Sequence, residues 1–287
     1  MRGHHILTKV TLITLFLTSI VPALDDQPIA WWTFDQAADR ALDNISKIND
    51  AISGNYKYVA GSSGGALKFD GYTTCLRRKA AEAPQVSQAF TIEAWVAIGA
   101  YPWNWSPIVS QESTVSLNSA QDRICWPEDI SNESATAGYY FGVGPRGELT
   151  LQIAVDGKWR ICKSQDYAIG LQEWVHAVGI FQKDRGITLY LNGKEAGSLS
   201  FKGTFKVALD TDLLIGMNHE KREPSHPVRA FATLPAWYSF DGIIDEIKIY
   251  DHALGSNEIA QAYAEQKPAA APDFTPRIMP SGPKGPG

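Results

Sequence analysis

FTIEAWV, residues 90–96, and GIIDEIKIY, residues 242–250, are the two stretches that decide the fold of this chain. Both alternate with a period of two residues, which is the pattern of a β-strand with two different faces. In the first stretch Thr91, Glu93 and Trp95 share one face, and the even-numbered residues share the other. Two such strands, far apart in the chain, predict a sheet built from long-range pairing.

Further strand patterns surround these two, separated by turn signals. Short apolar or alternating runs occur at residues 29–34, 66–69, 139–143, 149–155, 174–181, 187–191, 194–199 and 213–216. Asn192-Gly193 is a two-residue hairpin signal. Residues 43–53 are polar and are predicted to form a loop, and Ser256 is predicted to cap a short helix that runs to Gln266. Many short strands and almost no helix predict an all-β sandwich of two antiparallel sheets.

Length and composition agree with one such sandwich. The chain has 287 residues, of which 44% are hydrophobic and 11% aromatic, so burial of apolar surface can offset the entropy lost on folding. The net charge of −5 comes without a basic stripe. We therefore expect no nucleic-acid partner.

The N-terminus has the pattern of a secretory signal over residues 1–23. Arg2 and Lys9 supply positive charge, residues 10–21 are apolar, and small residues precede the expected cleavage after Ala23. An uncleaved anchor is the alternative, although the apolar run is short for a membrane span. We expect a secreted protein with no membrane span once the signal is removed.

The domain plan follows from the composition of the two ends. Residues 24–266 are predicted to form the β-domain. Residues 267–287 are rich in Ala, Pro and Gly and are predicted to be a linker to a further domain, with a frayed C-terminus as the alternative.

Five groups of short motifs resemble the concanavalin A-like jelly rolls of the laminin G-like class, which are often appended to secreted carbohydrate-active enzymes. The matching stretches are residues 32–35, 65–71, 90–96, 173–176 with 189–194, and 240–254. Their order and spacing carry the resemblance, because each motif alone is weak. The resemblance implies a two-sheet jelly roll and a binding role, but it does not name the ligand.

Three long loops hold the candidate ligand-binding residues. They are residues 101–105, 111–137 and 219–238, and loops on a rigid sandwich are where binding groups concentrate. Flat aromatic rings stack on the C–H faces of sugars, and arginine forks bind acidic sugars or sulfate. The alternative is that the aromatic rings pack the loops onto the sandwich or onto another domain. The candidates are Trp103, Trp105, Trp126, Arg222, Arg229, Trp237 and Tyr238.

The resemblance also implies one structural Ca²⁺ ion near the pairing of the first and last strands. Calcium takes several hard oxygen ligands from carboxylates, amides and backbone carbonyls. The expected ligands are Asp35, Asn49, Asp50 and Asp245. The alternative is that these side chains only orient turns and loops.

The three cysteines are an odd number in a chain expected to be exported. We expect a Cys125–Cys162 disulfide, which would tie the insertion at 111–137 to a neighbouring strand, and a free Cys75. Three reduced and buried thiols are the alternative.

Catalytic patterns are weak. Glu93 lacks the second carboxylate that a glycosidase needs, since the Glu-x-Asp-x-x-Glu strand of related glucanases does not occur here. Asp245 and Glu246 are adjacent and are expected on opposite strand faces. The sequence therefore favours a non-catalytic carbohydrate-binding module that holds a neighbouring catalytic domain near polysaccharide. The alternatives are a structural or protein-binding module and, last, a glycoside hydrolase.

Overall fold

The computed structural model describes residues 27–102, 105–113, 137–221 and 237–275. These residues form two eight-stranded antiparallel sheets, which confirms the predicted concanavalin A-like sandwich. The predicted signal segment, residues 1–23, lies outside the described residues.

The first sheet carries the two stretches that decide the fold in its centre. In spatial order it contains β14 (Lys194–Leu199), β13 (Gly186–Leu191), β12 (Val175–Gln182), β7 (Ala89–Ile98), β18 (Asp241–Tyr250), β5 (Gly65–Asp70) and β4 (Lys57–Ala60), and β1 (Ala30–Trp32) pairs with β18.

The second sheet faces the first across the core. Its order is β11 (Lys158–Lys163), β10 (Leu149–Val155), β9 (Ala137–Val143), β8 (Ser106–Ser113), β15 (Leu213–Ile215), β6 (Cys75–Arg78), β3 (Asn49–Ser53) and β2 (Arg40–Leu42). A separate pair of short strands, β16 (Met217–Lys221) and β17 (Trp237–Ser239), lies against β8. A 3₁₀ turn spans Ala80–Glu82, and one α-helix, α1, spans Ser256–Glu265.

The predicted faces of β7 are confirmed. Phe90, Ile92, Ala94, Val96 and Ile98 belong to the core between the sheets. Phe90 packs against the aromatic rings of Tyr139, Phe181 and Phe205, with ring centroids 5.3–5.7 Å apart. The alternating pattern thus supplies a continuous apolar layer from one central strand.

Strand β18 departs from strict alternation. Its pairing with β7 shifts between Asp245 and Lys248, and Glu246 has a positive φ of 50°. This β-bulge changes which residues face inward, so Ile244 and Ile247 both reach the core although they are three positions apart. The expectation of equally regular alternation in this strand was wrong.

Two local predictions also need correction. Residues 43–53, predicted as a loop, contain the strand β3. Helix α1 is capped by Gly255 rather than Ser256, and the Glu258 carboxylate accepts the backbone N–H of Gly255. Glu258 lies in the first turn, where its negative charge suits the helix dipole.

The outer side of the first sheet is covered by the C-terminal part of the chain. Tyr263 of α1 stacks on Trp95, with ring centroids 5.8 Å apart. Lys68 Nζ donates a hydrogen bond to the carbonyl of Phe274 and lies over its ring. Packing therefore continues through part of the segment predicted as a linker. Within the described ranges, no helix is long and apolar enough to cross a membrane.

Candidate functional site

A pocket opens on the outer side of the second sheet, and the alternation of two strands explains its position. Leu76 of β6 and Leu213 of β15 face the core. Their neighbours Cys75, Arg77 and Leu214 therefore face outward, and Leu214 pairs with Arg77 across the two strands. The strand β16 lies beside this surface and closes one side of it.

The pocket has a volume of about 580 Å³, within the ~300–1,000 Å³ range of ligand pockets. Its described lining comes from β3, β6, β15, β16 and two loops, and consists of Ser53, Tyr72, Thr73, Cys75, Arg77, Asp210, Thr211, Asp212, Leu214, Met217, Asn218 and His219.

The lining combines an apolar patch with a polar rim. Cys75, Leu214 and Met217 pack together as one small buried cluster. Tyr72 adds a half-buried aromatic ring. An apolar patch with a few polar groups around it matches the two kinds of surface on a sugar ring.

An ion pair crosses the rim. Arg77 Nη1 donates to Asp212 Oδ2 at 3.2 Å, and the other oxygen of Asp212 accepts the backbone N–H of Ala80 at 2.9 Å. The Arg77 side chain is 60% exposed, so the guanidinium is accessible from the pocket. Asp212 thereby fixes the position of the arginine.

His219 lies on β16 at the edge of the pocket. Its Nε2 is 3.4 Å from the carbonyl oxygen of Ser110, which accepts and cannot donate. Burial lowers the pKa of His219 to about 4, against the smaller opposing effect of that carbonyl. The ring is therefore neutral near pH 7, with Nδ1 as a hydrogen-bond acceptor.

Several buried polar atoms near β16 have no hydrogen-bond partner among the residues that the structure describes. They include Asn218 Oδ1, Ser110 Oγ and Ser239 Oγ, on side chains that are almost fully buried. Unpaired buried polar atoms are costly in a folded protein, and they often mark places where a ligand or water completes the bonding. Asn218 is the member of this group that lines the pocket.

Most of the aromatic and arginine residues predicted to bind a ligand either lie outside the described residues or are described only for their backbone. Trp103, Trp126, Arg222 and Arg229 lie outside the described residues. Trp237 and Tyr238 are described for the backbone alone, as part of β17, where Trp237 pairs with Lys221 of β16. The backbone of β17 therefore adjoins the strand that closes the pocket.

Trp105 is placed, and its ring is buried. It has 7% of its surface exposed, meets Tyr140 edge-on at 6.1 Å, and carries the Lys163 amine 4.9 Å from its centroid. The buried ring of Trp105 packs its loop onto the second sheet. This matches the alternative to ligand binding, in which the aromatic rings pack the loops onto the sandwich.

The four expected calcium ligands divide into two groups. Asp50 is fully engaged, because Arg78 donates to both of its oxygens at 2.6 and 2.7 Å, and Trp32 Nε1 adds a third bond at 2.7 Å. Asn49 is the neighbouring residue on β3. A carboxylate held by an arginine between the two sheets is a structural group and does not suit a cation.

Asp35 and Asp245 meet the same turn, residues 61–65. Asp245 Oδ2 accepts from the backbone and hydroxyl of Ser62, both at 2.8 Å, and Asp35 Oδ1 accepts the backbone N–H of Gly65 at 2.9 Å. Burial raises the pKa of Asp245 to about 7. A Cβ at Gly64, whose φ is +62°, would lie 1.9 Å from Asp35 Oδ1, so the turn depends on glycine there.

Metal and thiol chemistry is limited in the parts of the chain that the structure describes. There, no three His, Cys, Asp or Glu side chains converge on a possible metal position. Cys75 and Cys162 are buried free thiols, and burial raises their pKa values to about 11 and 12. Cys125, the expected partner of Cys162, lies outside the described residues.

Glu93 has the structural role favoured from the sequence. It is fully buried, and its Oε1 accepts from Lys248 Nζ at 2.9 Å. His176 Nε2 lies 3.6 Å from the same oxygen. Burial alone would raise the pKa of Glu93, but His176 and Lys248 outweigh it and lower the pKa to about 2. A carboxylate held in its charged form cannot act as a general acid.

Sequence analysis did not single out the residues that line the pocket. They come from three separate parts of the chain, at residue 53, residues 72–77 and residues 210–219, and no local motif joins them. Two signals were present: the loop predicted to begin at His219, and the pair Asp210 and Asp212 just before a short strand. The structure shows that the first part of that predicted loop, residues 219–221, belongs to the strand β16 (Met217–Lys221).

Comparison with known proteins agrees with this architecture. A laminin G-type family model, described as the concanavalin A-like lectin/glucanases superfamily, matches residues 70–260. The chain belongs to this superfamily. No curated protein sequence matches it.

Solved structures of the same fold include domain 4 of AbnA, a GH43 extracellular arabinanase from Geobacillus stearothermophilus, in complex with arabinotriose. It is 17% identical, with a TM-score of 0.55 over 82% of this chain and 97% of that one. The binding domain of Paraclostridial Mosquitocidal Protein 1 is 14% identical, with a TM-score of 0.55 over 84% and 52% of the two chains.

Trypanosoma rangeli sialidase in complex with sialic acid is also similar. It is 14% identical, with a TM-score of 0.53 over 83% of this chain and 32% of that one. At such identities these likenesses show the fold alone.

Proposed function

We propose that this chain is a secreted, non-catalytic carbohydrate-binding module that keeps a polysaccharide-degrading partner close to its substrate. The observation that carries the proposal is the pocket on the second sheet. Its lining combines the apolar cluster of Cys75, Leu214 and Met217, the ring of Tyr72 and a rim of polar groups. Binding of this kind raises the effective concentration of substrate without any chemistry of its own.

The comparisons support glycan binding in general. One structural neighbour is a domain of an arabinanase in complex with arabinotriose, and another is a sialidase in complex with sialic acid. One of these sugars is neutral and the other acidic, so the shared fold does not choose between them. Any preference for neutral or acidic sugars must therefore be set by the side chains of this chain.

The bonding of two carboxylates supports the non-catalytic part of the proposal. Glu93 is buried and accepts a hydrogen bond from Lys248. Both oxygens of Asp212 accept hydrogen bonds from protein groups. Glycoside hydrolysis needs two carboxyl groups available on either side of the bond. Release of reducing ends from any bound polysaccharide would contradict this part of the proposal.

Calcium remains a proposal for Asp35 and Asp245 alone. Both carboxylates bond to the turn at residues 61–65, and the turn offers backbone oxygens of the kind that calcium takes. The test compares thermal unfolding in CaCl₂ and in chelator. A higher midpoint with calcium that Asp245→Asn abolishes would support the site, and identical midpoints would refute it.

The main test is a glycan array probed with the full-length chain and with Arg77→Ala. Arg146→Ala is the matched control, because Arg146 also forms an exposed ion pair, with Asp166 at 3.0 Å, and does not line the pocket. We expect the control to bind like the parent and Arg77→Ala to bind about tenfold more weakly. A folded parent chain that binds no glycan would overturn the proposed function.

A further inference from the structure

We propose that the pocket takes a neutral, hydroxyl-rich sugar and rejects uronic, sialic and sulfated sugars. This inference rests on the proposed function and adds the class of glycan. It is drawn from the charges and the hydrogen-bonding groups that line the pocket.

The charge of the described lining is the first argument. Arg77 is the single cation among these lining residues, and Asp210 and Asp212 are two carboxylates. Asp212 already neutralises Arg77 through the 3.2 Å ion pair. An anionic sugar would therefore meet a carboxylate at Asp210 that forms no ion pair with any described residue, and like charges brought together at a binding site oppose association.

His219 does not change this balance. Its side chain is half-buried and its Nε2 faces a backbone carbonyl, and its lowered pKa of about 4 keeps the ring neutral near pH 7. It therefore offers an acceptor at Nδ1 instead of a second positive charge.

The supply of acceptors is the second argument. Asp210, Asn218 Oδ1 and neutral His219 all offer acceptors, and Asn218 Oδ1 is buried with no partner in the described part of the chain. Sugar hydroxyls donate as well as accept, so a neutral sugar can satisfy these atoms. A carboxylate or sulfate only accepts and would leave them unpaired at a cost.

This inference differs from the expectation attached to Arg222 and Arg229, which suit an acidic sugar and lie outside the described residues. Binding of neutral sugar by the pocket and binding of acidic sugar by Arg222 and Arg229 can be distinguished experimentally. Variants Arg222→Ala and Arg229→Ala should leave the preference for neutral sugars intact if the pocket alone sets it.

The experiment uses pairs of glycans that differ only in charge. The full-length chain is titrated calorimetrically with sialyllactose methyl ester and free sialyllactose, and with methyl-esterified and free oligogalacturonates. We expect the neutral member of at least one pair to bind tenfold or more tightly than its acidic counterpart. Neutral arabino-, xylo- and cello-oligosaccharides extend the search for a neutral ligand.

Asp210→Asn tests the cause of the preference. It removes the unneutralised carboxylate with little change in shape, and we expect it to weaken the discrimination at least threefold. Asp166→Asn, which removes an equal charge away from the pocket, should leave the discrimination unchanged.

The outcomes separate the two proposals. Equal or tighter binding of the acidic glycans, retained in Asp210→Asn, would overturn this inference and leave the carbohydrate-binding function standing. Absence of binding to any glycan by the folded chain would overturn the function and this inference with it.

Discussion

The outer faces of the two sheets use similar residues for opposite purposes. On the first sheet, Glu93 and Lys248 point outward, pair with each other, and are covered by the C-terminal part of the chain. On the second sheet, Arg77 and Asp212 also point outward and pair, but the pair stays exposed beside a pocket. The lesson is that a covering layer decides whether a charged pair is buried inside the fold or stays accessible from solvent.

The largest effect is expected on the covered face. Lys248→Met leaves the Glu93 carboxylate buried without its cation, and should cost about 3–5 kcal/mol of unfolding free energy. Urea denaturation measures this loss, and Glu93→Gln combined with Lys248→Met should recover most of it. Lys158→Met, at an exposed lysine, is the control and should change stability by less than about 0.5 kcal/mol.

Low pH should reduce the stability that the Glu93–Lys248 pair gives to the covered face of the first sheet. The pKa of Glu93 is about 2 in the folded protein, lowered by His176 and Lys248 against the effect of burial, and Glu246 adds a nearby negative charge. Because the folded pKa lies below the unfolded value of about 4.3, this stabilisation is complete above that pH and disappears as the pH falls through 2.

The contribution of Glu93 to this acid sensitivity is of the order of 3 kcal/mol. Unfolding free energies measured between pH 6 and pH 2 should therefore fall more steeply for the parent than for Glu93→Gln. Parallel curves would show that the pair does not control acid stability.

A smaller effect is expected where the C-terminal segment contacts the first sheet. Phe274 is half-buried beside Lys68, Val59 and Trp174. Phe274→Ala should cost about 1–2 kcal/mol, in proportion to the apolar surface it exposes. Leu209→Ala, at a side chain that is 61% exposed, is the comparison and should be close to neutral in thermal unfolding.

The smallest change in stability is expected at the pocket. Arg77→Ala breaks an exposed ion pair, and such pairs contribute only about 0–1 kcal/mol. The same substitution should weaken glycan binding about tenfold, equivalent to about 1.4 kcal/mol. If Arg77→Ala unfolded the protein as readily as Lys248→Met does, the contrast between the two faces would be wrong.

Strands with strong local patterns could be predicted from the sequence. The faces of β7 followed from simple alternation, because every second residue from Phe90 to Ile98 is apolar and reaches the core. Strand β3 was missed, because it is polar and its buried residue, Asp50, depends on Arg78 from another strand. The bulge at Glu246 changes which residues of β18 point toward the core. It was missed because no glycine or proline stands at this position to indicate a bulge in the sequence.

The pocket was harder to predict than the fold. Arg77 is far in the sequence from Asp212 and His219, and their proximity depends on the pairing of β6 with β15 and on the path of β16. Sequence reasoning favoured aromatic loops, since isolated arginines and aspartates carry no local signature. Only the three-dimensional pairing turns these residues into one surface.

The contact between Lys68 and Phe274 also bears on how the domain transmits force. The described chain reaches Thr275 on the outer side of the first sheet, and the pocket opens on the outer side of the second. A tether attached beyond Thr275 would pull on the side of the sandwich opposite a bound glycan. Tension would then pass across the apolar core between the two sheets and leave the mouth of the pocket unobstructed.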